Sequence, residues 1–225
     1  IDHYTYVFLG DGCLMEGVSH EACSFAGTHE LGKMICFYDQ NRISIDGEIE
    51  NWFTDDSVKR FESYGWQTIC VDGHNVEEIN GAISKAKEES KKPSMIFCKT
   101  IIGFGSPNKS GTADVHGAPL GDEEIEKTRD ALDWQHPAFE VPKEVYDFWD
   151  KKKSGALKNA TWDDSIRDYK DKYPNDSLEL ERRMKGDMPV EFEQNYLDFL
   201  NDCDTNNLPM ATRKASKACL DFFVK

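Results

Sequence analysis

Short apolar segments alternate with longer amphipathic segments over residues 4–99. The apolar segments have the length of strands and lack a polar face, as expected of parallel strands that are covered on both sides. They predict four strands, at residues 4–9, 33–39, 67–71 and 94–99. The segments between them predict helices at residues 19–28, 55–64 and 76–90. This order predicts an α/β fold, an open parallel sheet with helices on both faces.

The character of the sequence changes after the fourth predicted strand. Residues 104–120 are rich in Gly, Ser, Asn and Pro without periodicity, which is typical of a long loop that covers a site. Beyond this loop, highly charged segments without strand signals predict a mainly helical extension. The predicted helices lie at residues 123–132, 143–153, 162–172, 176–185, 190–203 and 211–223. Residues 206–209, with the sequence Asn-Asn-Leu-Pro, indicate a break before the last helix.

The composition narrows the classes of protein and of partner. Of the 225 residues 39% are hydrophobic, which suits a domain with its own core, and no apolar run indicates a membrane span or a signal peptide. The seven cysteines show no Cys-x-x-Cys spacing, so reduced thiols and a cytoplasmic location are expected. The net charge of −15 argues against nucleic acid or an anionic membrane as partner. An anionic cofactor would need a metal ion and directed main-chain amides to bind so acidic a chain.

Polar residues follow the first two predicted strands. Gly10, Asp11 and Gly12 follow the first, and Asn41 follows the second, with 28 residues between Gly12 and Asn41 for one helix and a return strand. Because parallel neighbours lie about 4.8 Å apart, side chains just past their carboxyl ends can converge on one ion. Carboxylate and amide oxygens suit Mg²⁺ or Ca²⁺ and suit zinc poorly.

Two side chains are too few to enclose Mg²⁺, so the pattern implies a phosphorylated ligand that completes the coordination. Gly10 and Gly12 lack a Cβ and would let a phosphate approach the main chain and the amides at the start of the next helix. The alternative is that a Gly-Asp-Gly tripeptide is only a turn.

Strand, Gly-Asp-Gly, helix, strand and Asn at this spacing resemble the diphosphate-anchoring motif of thiamine diphosphate enzymes. Five segments resemble transketolases: GDGCLMEG (10–17), ISIDG (43–47), WFTDD (52–56), GFGSPNK (103–109) and HGAPLG (116–121). The resemblance runs almost from end to end but covers only a middle stretch of that family's longer chain, so we expect an internal fragment. It implies that residues 1–140 are the C-terminal part of the thiamine diphosphate domain, 141–208 a helical extension, and 209–225 the start of a connection to a pyrimidine-binding domain.

The resemblance also implies the cofactor and the residues that bind it. The cofactor is thiamine diphosphate with Mg²⁺, which Ca²⁺ could replace. Asp11, Asn41 and the main-chain oxygen of Ile43 would bind the metal, while the Ile43 side chain can still be buried. Gly10, Gly12 and Asn41 would contact the diphosphate. Many thiamine enzymes have two consecutive Asn at this point, where this chain has Gln and then Asn41; transketolases tolerate variation there.

Four further residues receive roles from the resemblance. His116 would lie over the cofactor and act in catalysis and in substrate binding; the alternative is an exposed loop histidine. Arg213 would bind the sugar phosphate, or simply lie on a solvated helix face. Glu16 and Glu21 would belong to a proton network across a homodimer interface, or complement the dipole of the helix that begins beside them. The other histidines are expected to be structural or solvated, with His74 in a turn.

The implied reaction is transfer of a two-carbon ketol unit from a ketose phosphate to an aldose phosphate, in the pentose phosphate pathway. The family's catalytic glutamate belongs to a domain absent from this sequence, so we expect the chain alone to be inactive. One alternative is another thiamine diphosphate enzyme, of the deoxyxylulose-phosphate synthase or dihydroxyacetone synthase type. A second is a non-catalytic module that binds metal or phosphate.

Overall fold

The computed structural model describes residues 2–205 and 209–224. The strands are β1 (Thr5–Gly10), β2 (Met34–Gln40), β3 (Ile43–Ser44), β4 (Gly47–Glu48), β5 (Gln67–Asp72) and β6 (Ser94–Lys99). The helices are α1 (Asp11–Met15), α2 (Gly17–Thr28), α3 (Ser57–Ser63), α4 (Val76–Glu88), α5 (Asp122–Ala131), α6 (Lys143–Trp149), α7 (Lys152–Lys172), α8 (Pro174–Lys185), α9 (Phe192–Thr205) and α10 (Thr212–Phe223). The chain divides into two compact units, Ile1–Glu140 and Val141–Lys225. No helix in the described ranges is long and apolar enough to span a bilayer.

The first unit is built on a four-stranded sheet with the order β1-β2-β6-β5, in which all neighbours are parallel. The register places Gly10, at the end of β1, opposite Asp39 in β2. It places Asp39 in turn opposite Cys98 in β6. The predicted α/β fold with a parallel sheet is therefore confirmed, and the residues that follow β1, β2 and β6 emerge along one edge.

Helices cover both faces of this sheet because successive residues of the central strands point to opposite sides. Tyr38 and Phe97 pack on one side with Ala26 of α2 and Phe61 of α3. On the other side, Ile35 and Ile96 pack with Ala82 and Ala86 of α4. Each fully buried large apolar side chain in these clusters contributes roughly 1.5 to 3 kcal/mol to folding. The two clusters hold β2 and β6 in place and so fix where their carboxyl ends lie.

Three local features differ from the predictions for the first unit. The residues after β1 form the helix α1, which the sequence analysis did not predict, and Glu16 in an extended conformation separates it from α2. The helix predicted at 55–64 begins at Ser57 because the Asp56 side chain caps it, accepting from the Lys59 main-chain N–H at 3.1 Å. The hairpin of β3 and β4, directly after Asn41, was also not predicted.

The second unit is helical, as predicted, but one helix boundary was wrong. The helix predicted at 143–153 ends at Trp149, and α7 begins at Lys152 and includes the segment predicted separately at 162–172. Asp150 causes the break: its backbone is extended, and its side chain accepts from the Lys152 main-chain N–H at 2.9 Å. Of the predicted break at 206–209, residues 206–208 lie outside the described residues.

Aromatic stacking, an ion pair and a helix cap stabilise the rest of the second unit. Phe199 of α9 and Phe222 of α10 stack with ring centroids 4.8 Å apart. Lys170 of α7 forms an ion pair with Glu181 of α8. Gly186, with φ of 78°, ends α8 in the left-handed conformation that favours glycine.

Candidate functional site

The candidate site lies at the carboxyl ends of β1 and β2. Gly10 ends β1 in an extended conformation, and α1 begins at once with Asp11. This abrupt change from strand to helix places Asp11 under the turn that follows β2, and only 4% of the residue is exposed. A carboxylate in such a position is costly unless hydrogen bonds or a cation compensate its charge.

Both carboxylate oxygens of Asp11 accept hydrogen bonds. The hydroxyl of Tyr38, a buried residue of β2, donates to Oδ1 at short range. The main-chain N–H of Arg42 donates to Oδ2 at 2.9 Å. Arg42 adopts a positive φ of 63°, which turns the chain so that this N–H faces Asp11.

Burial nevertheless dominates the ionisation of this pair. It raises the pKa of Asp11 above its ordinary value, although the bonds from Tyr38 and Arg42 act in the opposite direction. Burial and the neighbouring carboxylate also raise the pKa of Tyr38, so its hydroxyl stays protonated and remains a donor. A bound cation would favour the ionised form of Asp11, so the electrostatics of this position fit a metal ligand.

Asn41 and Ile43 lie in the turn that binds Asp11. The amide oxygen of Asn41 accepts from the Ile43 main-chain N–H at 2.9 Å, and its Nδ2 donates to Asp39 at 3.3 Å. Ile43 begins β3, and its side chain is buried. Two of the expected metal ligands therefore lie in one turn, and the third, Asp11, is hydrogen-bonded to that turn through Arg42.

This donor set fits Mg²⁺ or Ca²⁺ better than a transition metal. It holds one carboxylate, one amide oxygen and one main-chain oxygen, all hard ligands. Within the described ranges, no group of three or more His, Cys, Asp or Glu side chains is placed to hold a metal ion. A cation here would need further oxygens from a ligand or from water.

Among the residues that the structure describes, neither packing nor backbone conformation requires glycine at positions 10 and 12. A Cβ built on Gly10 or on Gly12 meets no atom within 4 Å. Gly10 has a φ of −117°, and Gly12 is not among the residues with positive φ. The open space beside both residues is consistent with the close approach of a ligand to the main chain.

The β6–α5 loop, residues 100–121, starts from the same edge of the sheet. Thr100 donates to Asp39 at short range and thus ties the start of the loop to the end of β2. Gly111 of the loop lines a cavity of about 280 Å³ together with Asn41, Arg42 and Ile43. The loop predicted to cover the site therefore reaches the turn that carries two of the expected metal ligands, Asn41 and Ile43.

His116 lies in this loop with an exposed side chain. Its main-chain N–H donates to the Ala113 carbonyl at 2.9 Å and closes a single 3₁₀ turn, Ala113–Val115. Gly103 packs against Val115, the residue before His116. A larger residue at position 103 would be strained, because φ there is 64° and a Cβ would lie only 2.9 Å from Val115 Cγ2. The imidazole is thus available to a ligand.

Two residues that hold this loop were not predicted as such. Glu124 in the first turn of α5 is buried, and its carboxylate accepts from the Ser106 hydroxyl and from the main-chain and side-chain N–H groups of Asn108. His74 makes the predicted turn, but its ring also accepts from the Ile101 N–H at Nε2, 2.9 Å away, and stacks on Phe104. Nothing in the local sequence distinguishes these two residues, because their partners are distant along the chain.

The remaining predicted residues are exposed. Glu16 lies between α1 and α2, and Glu21 lies within α2. Arg213 lies in α10 of the second unit. For Arg213 this position agrees with both a solvated side chain and a contact with a ligand. Glu16 at the N-cap of α2 can complement the helix dipole, whereas Glu21 lies beyond the first turn, so the dipole does not account for it.

The contribution of Glu124 to stability is expected to depend on pH. Hydrogen bonds from Ser106 and Asn108 lower the pKa of Glu124 to about 2, from an ordinary 4.5. As the pH falls, the unfolded chain protonates Glu124 at a higher pH than the folded chain does. The contribution of Glu124 to stability is therefore complete above the ordinary pKa and is lost as the pH falls towards 2. Denaturant unfolding of wild type and Glu124→Gln should show a difference in unfolding free energy that shrinks between about pH 5 and about pH 2. A difference that stays constant over this interval would contradict the expectation.

Comparison with known proteins identifies the family. The model of the family described as transketolase, thiamine diphosphate binding domain, matches residues 1–189 of this chain. The chain belongs to the transketolase family. Transketolase 1 of Vibrio vulnificus (strain CMCP6) is 55% identical over 226 residues, covering 100% of this chain and 34% of that protein. Transketolase 1 of Escherichia coli (strain K12) is 51% identical, covering 99% of this chain and 34% of that protein.

Solved transketolase structures share the fold as well as the sequence. The enzyme from Leishmania mexicana matches with a TM-score of 0.79 and 35% identity, over 99% of this chain and 32% of that one. A Pichia stipitis transketolase in complex with sedoheptulose-7-phosphate matches with a TM-score of 0.76 and 42% identity, over 86% of this chain and 29% of that one. The chain thus spans about a third of the length of the transketolases it matches. Its predicted membership of the family is confirmed.

Proposed function

We propose that the intact protein is a transketolase, which transfers a two-carbon ketol unit from a ketose phosphate to an aldose phosphate. The observation that carries this proposal is the buried Asp11 carboxylate, bound by Tyr38 and by the turn of Asn41 at the ends of neighbouring parallel strands. Burial opposes the ionisation of Asp11, and a turn that binds no ligand would not need a carboxylate in such a position. Membership of the transketolase family supports the same conclusion.

In this proposal the chain holds the cofactor by its diphosphate end. Asp11, Asn41 and the main-chain oxygen of Ile43 would bind Mg²⁺, which Ca²⁺ can replace, and oxygens of the diphosphate and of water would supply the remaining ligands. Gly10 and Gly12 leave the space into which the diphosphate fits. Thiamine diphosphate, when bound, supplies the carbanion chemistry of ketol transfer.

The other site residues act on the substrate or on the assembly. His116 binds substrate oxygens and exchanges protons with them, because an exposed imidazole can both donate and accept near neutral pH. The guanidinium of Arg213 binds the substrate phosphate, for which its planar donors are suited. Glu16 and Glu21 face a second subunit in a homodimer.

Complexes of a relative support the proposed substrate class. A mutant of Pichia stipitis transketolase has been solved in complex with fructose-6-phosphate, and a transketolase of the same organism in complex with sedoheptulose-7-phosphate. We extend sugar phosphates as substrates to this chain, and with them a place in the cytoplasmic pentose phosphate pathway. Nucleic acid and membranes are not partners in this proposal, since the net charge of −15 would repel both.

The test is ketol transfer by the intact protein from a ketose phosphate to a panel of acceptors, with thiamine diphosphate and either Mg²⁺ or EDTA. Transfer to aldose phosphates that EDTA abolishes supports a transketolase. Preference for a non-phosphorylated acceptor would favour a synthase of the dihydroxyacetone type, and absence of transfer from any ketose phosphate despite thiamine diphosphate binding would favour one of the deoxyxylulose-phosphate type, whose transferred unit lacks a hydroxyl. Metal binding without any thiamine diphosphate preference would favour a binding module. The chain of residues 1–225 alone should be inactive, so ketol transfer by it would contradict that part of the proposal.

Tyr38→Phe should weaken metal binding although it replaces none of the proposed metal ligands. The substitution removes only the hydroxyl that orients Asp11, and loss of such an outer partner typically costs roughly 10- to 100-fold in metal affinity. It should also lower the free energy of unfolding by about 2 kcal/mol, because a buried charged acceptor loses a donor. Calorimetry with Mg²⁺ and thiamine diphosphate measures the first effect, and denaturant unfolding measures the second. The exposed Tyr146 provides the matched control, Tyr146→Phe, which should change neither.

A further inference from the structure

Glu124 is a buried carboxylate that the proposed reaction does not use. It is 7% exposed, and three donors from the β6–α5 loop converge on it. The Ser106 hydroxyl and the Asn108 main-chain N–H, at 2.8 Å, donate to Oε1, and the Asn108 side chain donates to Oε2, also at 2.8 Å. A buried charge that is fully hydrogen-bonded specifies one geometry, because any shift of the loop leaves it unsatisfied.

These bonds hold one end of the segment that carries His116, residues 109–120, which we call the His116 lobe. Asn108 directly precedes the lobe. At its other end, Leu120 is followed by Gly121, which caps the N-terminus of α5, the same helix that carries Glu124. Lys109 joins the two ends, because its Nζ donates to the Leu120 carbonyl at 2.8 Å. Both ends of the lobe are therefore attached to the first turn of α5.

Inside the lobe, support is mostly local. The His116 and Thr112 main-chain N–H groups donate to carbonyls three residues earlier. Three bonds lead back to the first part of the loop: at the start of the lobe the Lys109 and Ser110 N–H groups donate to the Ser106 hydroxyl and carbonyl, and the Gly111 N–H donates to the Ile102 carbonyl at 2.8 Å. With so few bonds inside it, the lobe keeps its position mainly through its attached ends, and releasing an end would let His116 sample many positions.

We infer that Glu124 is a positioning residue for His116: its carboxylate, acting through Ser106 and Asn108, fixes the start of the lobe that presents the imidazole to the substrate. This inference rests on the proposed role of His116. Glu124 itself contacts neither cofactor nor substrate. A misplacement of about 1 Å of a reacting group can cost roughly 100-fold in rate, so the position of this lobe matters for turnover.

The test compares Glu124→Ala with Glu124→Gln and with the control Glu126→Ala in the intact protein. Glu126 lies on the same helix with an exposed side chain. In Glu124→Ala, amide hydrogen exchange should become faster in residues 109–120 while β2 stays protected, and kcat should fall roughly 10- to 100-fold. Glu124→Gln should restore most of the protection from exchange and most of kcat. The amide oxygen of the glutamine still accepts, and the Asn108 side-chain amide can turn so that its oxygen accepts from the NH₂ group of the glutamine. Glu126→Ala should behave as wild type.

A second variant covers the case in which Glu124→Ala fails to fold. Lys109→Met keeps the length of the side chain but removes the donor to Leu120, so it should speed exchange in the lobe and lower kcat in the same direction. Unchanged exchange in residues 109–120 of both variants would overturn the inference. So would faster exchange with an unchanged kcat.

Failure of the proposed function would look different. In that case the intact wild-type protein shows no ketol transfer, or His116→Ala leaves transfer unchanged. Hydrogen exchange in the Glu124 and Lys109 variants still reports on the attachment of the lobe, because it needs no substrate. The two failures are therefore separable.

Discussion

Asp11→Asn is expected to abolish the Mg²⁺-dependent binding of thiamine diphosphate to the intact protein without lowering the stability of the metal-free protein. Asp11 is the only carboxylate in the proposed metal set, so the substitution removes the one charge that the protein offers to the ion. We expect Mg²⁺ affinity to fall by roughly 100-fold or more, beyond the loss that follows removal of an outer partner. Calorimetry with Mg²⁺ and with EDTA measures this loss.

Asp11→Asn is expected to leave the stability of the metal-free protein unchanged or to raise it, because of the pKa of Asp11. Burial raises this pKa in the folded protein, so the folded state loses stability as the pH rises from the ordinary pKa through the raised one. At neutral pH the wild type carries this cost, whereas an amide of the same shape does not. The melting temperature of metal-free Asp11→Asn should therefore equal or exceed that of wild type, and Mg²⁺ with thiamine diphosphate should no longer raise it.

The matched control is Asp46→Asn, the same substitution at an exposed position of the hairpin turn beside the site. It should leave both binding and stability unchanged. Equal metal-dependent binding by Asp11→Asn and wild type would refute the assignment of Asp11 as a ligand. A large fall in metal-free stability would instead mean that the carboxylate serves the fold.

His116→Ala is expected to lower kcat of the intact enzyme by about 100- to 10,000-fold, the range for loss of a group that transfers protons. Cofactor affinity should change far less, because the diphosphate end is held by Asp11, Asn41 and the glycines. Stability should change by less than about 0.5 kcal/mol, since the side chain is exposed. Steady-state kinetics and calorimetry on the same preparation separate these quantities.

His136→Ala serves as the control for this substitution, because His136 is also exposed. Its kcat should match that of wild type. If His116→Ala kept full activity with both donor and acceptor sugars, His116 would be an ordinary loop residue and its role in the proposal would be wrong. A rise in KM with unchanged kcat would restrict His116 to substrate binding.

The convergence of Asp11 and Asn41 was predictable because it depends on local patterns. Uninterrupted apolar segments predicted parallel strands, and polar residues just past two such strands must meet at one edge of the sheet. The register confirms this, since Gly10 lies opposite Asp39. The glycines and the covering loop follow from equally local signals, whereas the expected position of His116 comes from the resemblance to transketolases.

Tyr38 and Glu124 show what local patterns leave out. Tyr38 occurs in an apolar strand and reads as core, and only the packing of β2 against the start of α1 brings its hydroxyl to Asp11. Glu124 reads as one of several acidic residues at a helix start, and its partners lie 16 to 18 residues earlier. The break at Asp150 depends on competition between a side-chain cap and helix continuation, which periodicity does not resolve.

The sequence by itself determined the class of fold, the edge of the sheet that carries the site, and the residue types that suit a hard metal and a diphosphate. These follow from side-chain periodicity and from ligand chemistry, which act over a few neighbouring residues. Only the tertiary structure decided which buried groups orient Asp11 and how the lobe of His116 is attached. Those contacts join residues far apart in the chain, and their existence depends on the packing of whole elements.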